Sequence, residues 1–230
     1  MTPKALIFDV FGTCVDWRRS VARDTAMHVP GVDPLAFAVA WRGQYQPAME
    51  RVRTGARGYV ALDELHLENL HHVAESFGVT VPDPAALNTA WERLDPWPDV
   101  VPGLTVLRRS VPIAPCSNGS IAMMTALARY GGLPWDCILG ADIARSYKPK
   151  PEVYRACAAA LRLAESDVMM VAAHNADLAA AADAGLATAF VPRRDEHGPG
   201  QTLDLRAEGP WTVVAEDFRD LATRLFPDPV

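Results

Sequence analysis

Residues 5–13 read ALIFDVFGT, and no other stretch constrains the chain so tightly. Four apolar residues, Ala5, Leu6, Ile7 and Phe8, run into a single acid, Asp9, followed by an apolar pair and Gly12-Thr13. An apolar run of this kind reads as a strand buried on both faces of a parallel sheet. Open α/β sheets bind ligands outside the carboxyl ends of their strands, so an acid there is placed for chemistry. Gly12 lets the backbone turn away sharply, and the Thr13 hydroxyl can hydrogen-bond back to Asp9. Alone, the string also fits a plain strand closed by a capping Asp.

The rest of the chain supplies the sheet. Short apolar runs at Val111 to Ser117, Cys137 to Gly140, Val168 to Ala173 and Ala187 to Val191 read as strands, with an edge strand near Thr212 to Val214. Amphipathic stretches at Ile121 to Tyr130, Pro151 to Leu161, Leu178 to Ala184 and Asp217 to Leu225 alternate with them. That rhythm predicts an α/β fold with a doubly wound parallel sheet. The segment 16–94 breaks it, being helical in pattern throughout, with turn signals at Pro30-Gly31 and between Gly78 and Pro84. It is expected to be a helical cap, inserted into a Rossmann-like core formed by 1–15 and 95–230. The tract Arg193 to Gly209, rich in charge and glycine, reads as a solvated loop.

Three further segments match the first. Cys116-Ser117-Asn118-Gly119-Ser120 follows one apolar run, Lys148 precedes a helix opened by Pro151, and Asp177 follows another run. In order and spacing, over essentially the whole length, these resemble the haloacid dehalogenase superfamily: nucleophilic Asp, Ser/Thr, Lys and an acidic pair. Phosphatases of that superfamily carry a second Asp two residues after the nucleophile and hold magnesium with two acids in the fourth motif. Here Phe11 occupies the first position and Asp177 stands alone in the second. Magnesium requires several hard oxygen ligands. The chain is therefore most similar to the metal-independent branch, the type II 2-haloacid dehalogenases, for which no cofactor is expected. Trp41-Arg42 and the Lys148-to-Tyr154 spacing match that branch.

What the resemblance implies is displacement of halide from a short 2-haloalkanoic acid, a small halogenated carboxylate, by Asp9. An aspartyl ester forms, and water hydrolyses it to the 2-hydroxy acid with inversion. Nucleophile and substrate are both anions, and two unit charges about 4 Å apart repel by roughly 4 kcal/mol at an effective dielectric near 20. Cations must converge on such a pocket. Lys148 is expected beside Asp9, and Arg42 from the cap on the halide side. Ser117 and Asn118, with Val10 and Phe11, are expected to receive the substrate carboxylate or halide. Asn175 and Tyr154 are placed with them, Tyr154 within reach of Lys148 or Asp9. Thr13 and Asp177 join the catalytic set. Each also has a plainer reading: a solvated lysine, a helix-surface arginine, good turn chemistry, a buried structural tyrosine. Phe11, Trp17 and Trp41 can wall the site or be plain core.

The fourth motif departs from well-known members of the branch. His174 replaces an Asn, Ala172 a Ser, and Ala176 an aromatic on the halide side. A subgroup carrying His-Asn here, with a following GLATAF and an EHGP loop, includes members associated with fluoroacetate hydrolysis. His174 is read as a base for ester hydrolysis or as a filler of the space left by Ala176, against a structural histidine. His66, His71 and His72 lack zinc spacing and are expected on the cap surface.

The 230 residues carry a net charge of −6 with no basic run, which argues against nucleic acid as a partner. No apolar stretch approaches the ~18 residues needed to span a bilayer, and no export leader is expected. Cys14, Cys116, Cys137 and Cys157 are scattered, as in free thiols of a reducing cytoplasm. Homodimerisation is expected from the resemblance alone. Two other readings stay open: a magnesium-dependent small-molecule phosphatase of the same superfamily, and a catalytically silent binding domain.

Overall fold

A computed structural model describes residues 2–227. Its eight strands are β1 (Ala5–Phe8), β2 (Val15–Asp16), β3 (Asp95–Pro96), β4 (Ile113–Ser117), β5 (Leu139–Gly140), β6 (Val168–Ala172), β7 (Ala187–Phe190) and β8 (Val213–Val214). Six of them form one sheet in the order β5-β4-β1-β6-β7-β8, every pair parallel. The run that opens the chain is thus the third of six strands. Leu6 and Phe8 point into one apolar cluster with Met169 and Val171, while Ile7 joins Val168, Met170 and Ala172 in a second cluster on the other face. This two-sided burial is why the strands are continuously apolar rather than alternating.

Among the described residues, eleven α-helices cover the sheet and extend beyond it. Between the first two sheet strands lie α1 (Trp17–His28), α2 (Pro34–Gly43), α3 (Tyr45–Arg53), α4 (Leu62–Ser76) and α5 (Pro84–Asn88). After them come α6 (Val100–Ser110), α7 (Ile121–Gly131), α8 (Ala141–Ala144), α9 (Pro151–Ala160), α10 (Asn175–Asp183) and α11 (Phe218–Leu225). Local chemistry starts several of them. Asp33 caps α2 with Pro34 in its first turn, Ser120 caps α7, and Asp217 caps α11.

The antiparallel pair β2–β3 brackets the five-helix segment, with Asp16 facing Asp95. Charge ties this neck together: Arg93 donates to buried Asp24 at 2.6 and 2.9 Å, and Arg23 to Asp95 at 2.6 Å. The segment's apolar side chains, Phe37, Trp41, Leu65 and Trp91 among them, belong to the same cluster as Leu6 and Phe8.

Three readings of the sequence need correction. Helix α6 escapes it, because Pro102 and Gly103 interrupt the apolar pattern; Gly103 is there to let α11 approach, since a Cβ on it would lie 2.5 Å from the Cβ of Phe218. His66 is no surface residue but is 1% exposed, whereas His71 and His72 are exposed. The polar tract 193–209 buries two charged side chains, Arg193 and Glu196. Arg193 is anchored on Asp99 at 2.7 and 2.9 Å and on the Thr13 carbonyl at 2.8 Å, drawing the tract across the end of β1.

Candidate active site

Asp9 follows β1 directly, and its backbone N–H donates to the Val171 carbonyl of β6 at 3.0 Å. The carboxylate is 7% exposed and fully engaged. Lys148 Nζ donates to Oδ1 at 2.8 Å, Thr13 Oγ1 donates to Oδ2 at 2.7 Å, and His174 Nδ1 lies 3.1 Å from Oδ2. Burial opposes ionisation, but the Lys148 ammonium and the His174 ring outweigh it and hold the Asp9 carboxyl well below the usual carboxylate range. Asp9 is therefore an anion stripped of water, the state a carboxylate nucleophile needs. Thr13 also accepts from the Ala173 amide at 2.9 Å, which fixes its hydroxyl proton toward Asp9.

Lys148 reaches from the loop before α9. Its ammonium bridges Asp9 and Asp177, the latter at 2.6 Å, and the two carboxylates hold it charged despite burial. Asn118 holds the lysine's backbone: its Oδ1 accepts from the Lys148 amide at 2.8 Å, while its Nδ2 donates to Tyr45 Oη at 3.0 Å. Ser117 is wholly buried at the end of β4, its Oγ accepting from the Gly119 amide at 3.0 Å and its own proton left to donate.

His174 sits between β6 and α10 and is the pivot of the site. Its Nε2 is 2.8 Å from Glu196 Oε2, and Trp17 Nε1 donates to the other Glu196 oxygen at 2.9 Å. Burial favours a neutral ring, yet Glu196 and Asp9 on either side overcome it and raise the His174 pKa well above its ordinary value. Gly12 makes room for this arrangement. Its φ is +91°, and a Cβ there would stand 2.1 Å from Glu196 Oε1.

From α2, the Arg42 guanidinium lies over the Tyr45 ring at 3.8 Å, with Trp17 at 5.4 Å and Phe11 at 5.7 Å. Its Nη1 is buried without a hydrogen-bond partner among the described residues. Val10 is buried, its carbonyl taken by Cys14 N–H at 2.8 Å, and the Phe11 side chain packs among Tyr45, His66 and Trp91. Three carboxylates, Asp9, Asp177 and Glu196, thus meet Lys148 and His174, and the Arg42 guanidinium, stacked on Tyr45, adds a third positive charge. The resting site is balanced, so an anionic substrate does not enter against a net negative charge.

Two expected contacts are absent among the described residues. Tyr154 is buried behind the sheet, and its hydroxyl donates to Asp177, not to Lys148 or Asp9; it orients that carboxylate and does not line the pocket. Asn175 points away from Asp9. Its amide donates to Asp204 and the Arg206 carbonyl and accepts from the Glu208 amide and Trp211 Nε1, at 2.8 to 3.0 Å. All of its capacity is spent on the tract 204–211, so no part remains for a carboxylate or halide. Ala176 is solvent-exposed on α10. Glu196, conversely, carries no motif role in the sequence reading; the Glu196-His197-Gly198-Pro199 string was its one available signal.

Known proteins carry the same frame. A model of the haloacid dehalogenase-like hydrolases matches residues 3–185. The (S)-2-haloacid dehalogenase of Pseudomonas sp. (strain YL) is 29% identical over 209 residues, 87% of this chain and 88% of that one. The crystal structure of the defluorinating L-2-haloacid dehalogenase Rha0230 superposes with a TM-score of 0.94 at 46% identity, covering 97% of this chain and 95% of that one. That of the L-2-haloacid dehalogenase from Xanthobacter autotrophicus with chloropropionic acid covalently bound gives 0.83 at 26% identity, covering 99% and 100%. A central strand ending in a buried, cation-held aspartate and a match of this extent lead to one conclusion: the chain belongs to the haloacid dehalogenase-like hydrolases.

Proposed function

We propose that the chain hydrolyses short 2-haloalkanoic acids, haloacetates and (S)-2-haloacids, to 2-hydroxy acids and halide. The observation that carries this is the dry, ionised Asp9, held by Lys148 and Thr13, with an arginine of the helical segment, its buried N–H unpaired, 5.7 Å from the ring of Phe11 two residues on. The dehalogenases this chain is similar to, one with chloropropionic acid covalently bound, support the same chemistry. We take residues 16–94 as a cap over a core of 1–15 and 95–230, supported by the β2–β3 neck and the Tyr45–Asn118 hydrogen bond across the site.

In this reading Asp9 attacks the carbon bearing halogen. A carbon–oxygen bond forms as the carbon–halogen bond breaks, and halide leaves with the electron pair, inverting that carbon. Arg42 faces the departing charge. Water then attacks the ester carbonyl, with Lys148 placed to hold the developing oxyanion on Oδ1. With Asp9 esterified, His174 gives up its resting proton to solvent, takes a proton from the attacking water and passes it to the departing hydroxy acid; the water's second proton, shed by the regenerated Asp9 carboxyl, recharges the ring, which Glu196 orients throughout.

Magnesium chemistry of the phosphatase kind does not fit these residues. Phe11 stands where those enzymes place their second acid, packed among aromatic rings, and both Asp177 oxygens are taken by Lys148 and Tyr154. No group of three His, Cys, Asp or Glu among the described residues is arranged to hold a metal ion.

No helix of the described residues is long and apolar enough to cross a membrane. The four free thiols support a reducing compartment, and we place the protein in the cytoplasm. A homodimer, proposed from the family resemblance, is tested by light scattering on the eluting peak.

The experiment that tests the activity is a single turnover of chloroacetate with excess enzyme in heavy-oxygen water. Label should enter Asp9 and be absent from the first glycolate released. Label in that first product would mean that water attacks the substrate directly. Halide release from none of the haloacetates, with or without phosphoester hydrolysis, would overturn the dehalogenase reading.

A further inference from the structure

His66, on α4, is the least expected residue near the site. It is 1% exposed, and neither ring nitrogen has a hydrogen-bond partner among the described residues. Trp91 is fully buried, and its Nε1 is unpaired in the same sense, as is Arg42 Nη1. Buried donors without partners cost about 1–3 kcal/mol each, and native folds rarely leave several together.

These groups are neighbours. The His66 ring lies 4.3 Å from the Trp91 ring and 6.0 Å from that of Tyr45, over which the Arg42 guanidinium stacks at 3.8 Å. Phe11, two residues after Asp9, is bordered by all three: Arg42 at 5.7 Å, Trp91 at 5.9 Å and His66 at 6.4 Å. Burial and the nearby Arg42 charge hold the His66 pKa well below its ordinary value, so the ring is neutral and carries one N–H. One guanidinium N–H, one imidazole N–H and one indole N–H therefore border the Phe11 ring, with a single positive charge and, among the described residues, no carboxylate hydrogen-bonded to them. Donor chemistry of that kind fits a small monovalent anion.

We infer that His66 and Trp91 join Arg42 in a seat for the halide ion, where three N–H donors replace part of its hydration shell as it leaves. The inference rests on the dehalogenase reading for the identity of the anion and goes beyond it in assigning two further halide-binding residues. Fluoride, the most strongly hydrated halide, gains most from such donors. His66 and Trp91 are then specificity-determining residues for the leaving group.

The test needs no turnover. Chloride binding to the resting enzyme is read from broadening of the chloride NMR signal, displaced by bromide, in wild type, His66→Phe, His66→Gln and Trp91→Phe. His66→Phe keeps a ring of similar shape without donors; His66→Gln keeps an N–H. Displaceable broadening in wild type, weakened roughly tenfold in His66→Phe and largely kept in His66→Gln, is the expected result. Trp91→Phe should fall between them. No displaceable broadening in wild type, or equal affinity in wild type and His66→Phe, overturns the seat; so does equal loss in both His66 variants, which would mark a packing role. Bromide release from bromoacetate is followed separately. Release without chloride binding removes the seat and leaves the dehalogenase standing, whereas chloride binding that depends on His66 without release does the reverse.

Discussion

His174 stands 3.1 Å from Asp9, on the carboxylate oxygen opposite the one that Lys148 holds. The contact ties the charge of one residue to that of the other. While Asp9 is an anion, it helps keep His174 protonated and is itself kept ionised and reactive. Once Asp9 is esterified that negative charge is gone, and the ring releases its proton more readily. In the proposed mechanism the residue that steadies Asp9 in the first half-reaction thereby serves as the base of the second.

His174→Asn should therefore stop the reaction after the first step. The Asn cannot take a proton from water, so the Asp9 ester accumulates with chloro- and bromoacetate alike. Intact-protein mass spectrometry should find the adduct at close to one equivalent, with a burst of halide preceding slow turnover. Full turnover without an adduct would reduce His174 to a structural residue.

Glu196→Gln removes the carboxylate 2.8 Å from His174 Nε2. Glu196 favours the protonated ring, so its loss lowers the His174 pKa. The base-requiring limb of the kcat profile should then move to lower pH, with a lower plateau. The raised pKa also stabilises the fold. That contribution is complete below the unfolded value near 6.5 and is lost as pH rises through the folded value. The difference in Tm between wild type and Glu196→Gln should accordingly narrow on the alkaline side. A limb that stays in place would separate Glu196 from His174 function.

Lys148→Ala should cost far more than Tyr154→Phe. Lys148 lies between Asp9 and Asp177 at 2.8 and 2.6 Å, and its removal leaves a buried and a largely buried carboxylate facing each other. Repulsion of roughly 4 kcal/mol corresponds to a loss in kcat/KM of about a thousandfold. Tyr154→Phe deletes one hydrogen bond to Asp177 and should cost about tenfold. Steady-state halide release compares the two, and similar losses would contradict this charge balance.

Gly12→Ala probes the same pair from the backbone. The substitution forces a side chain into φ +91° and a Cβ to 2.1 Å from Glu196 Oε1. Urea unfolding should show a loss of about 1–3 kcal/mol, and kcat should fall as in Glu196→Gln. Wild-type stability with wild-type kcat would show that the turn adapts.

The positions of Asp9 and Lys148 at the sheet's edge, and the sheet itself, were legible because each is written in a short stretch of chain. Apolar runs that end in Asp9, Ser117 and Ala172 record burial locally, and a polar residue just past such a run lies at the functional edge of the sheet. Partnership is not local. Glu196 lies in a charged, glycine-containing tract with no apolar period, and only the path fixed by Arg193 on Asp99 and Thr13 sets it against His174. The tertiary structure likewise turned Asn175 toward Asp204 and Trp211, put Tyr154 behind the sheet on Asp177, and buried His66 beside Trp91. Residue type and spacing determine which groups can do chemistry; which hydrogen bonds those groups form depends on segments as far as 180 residues apart meeting in a space dry enough to hold them.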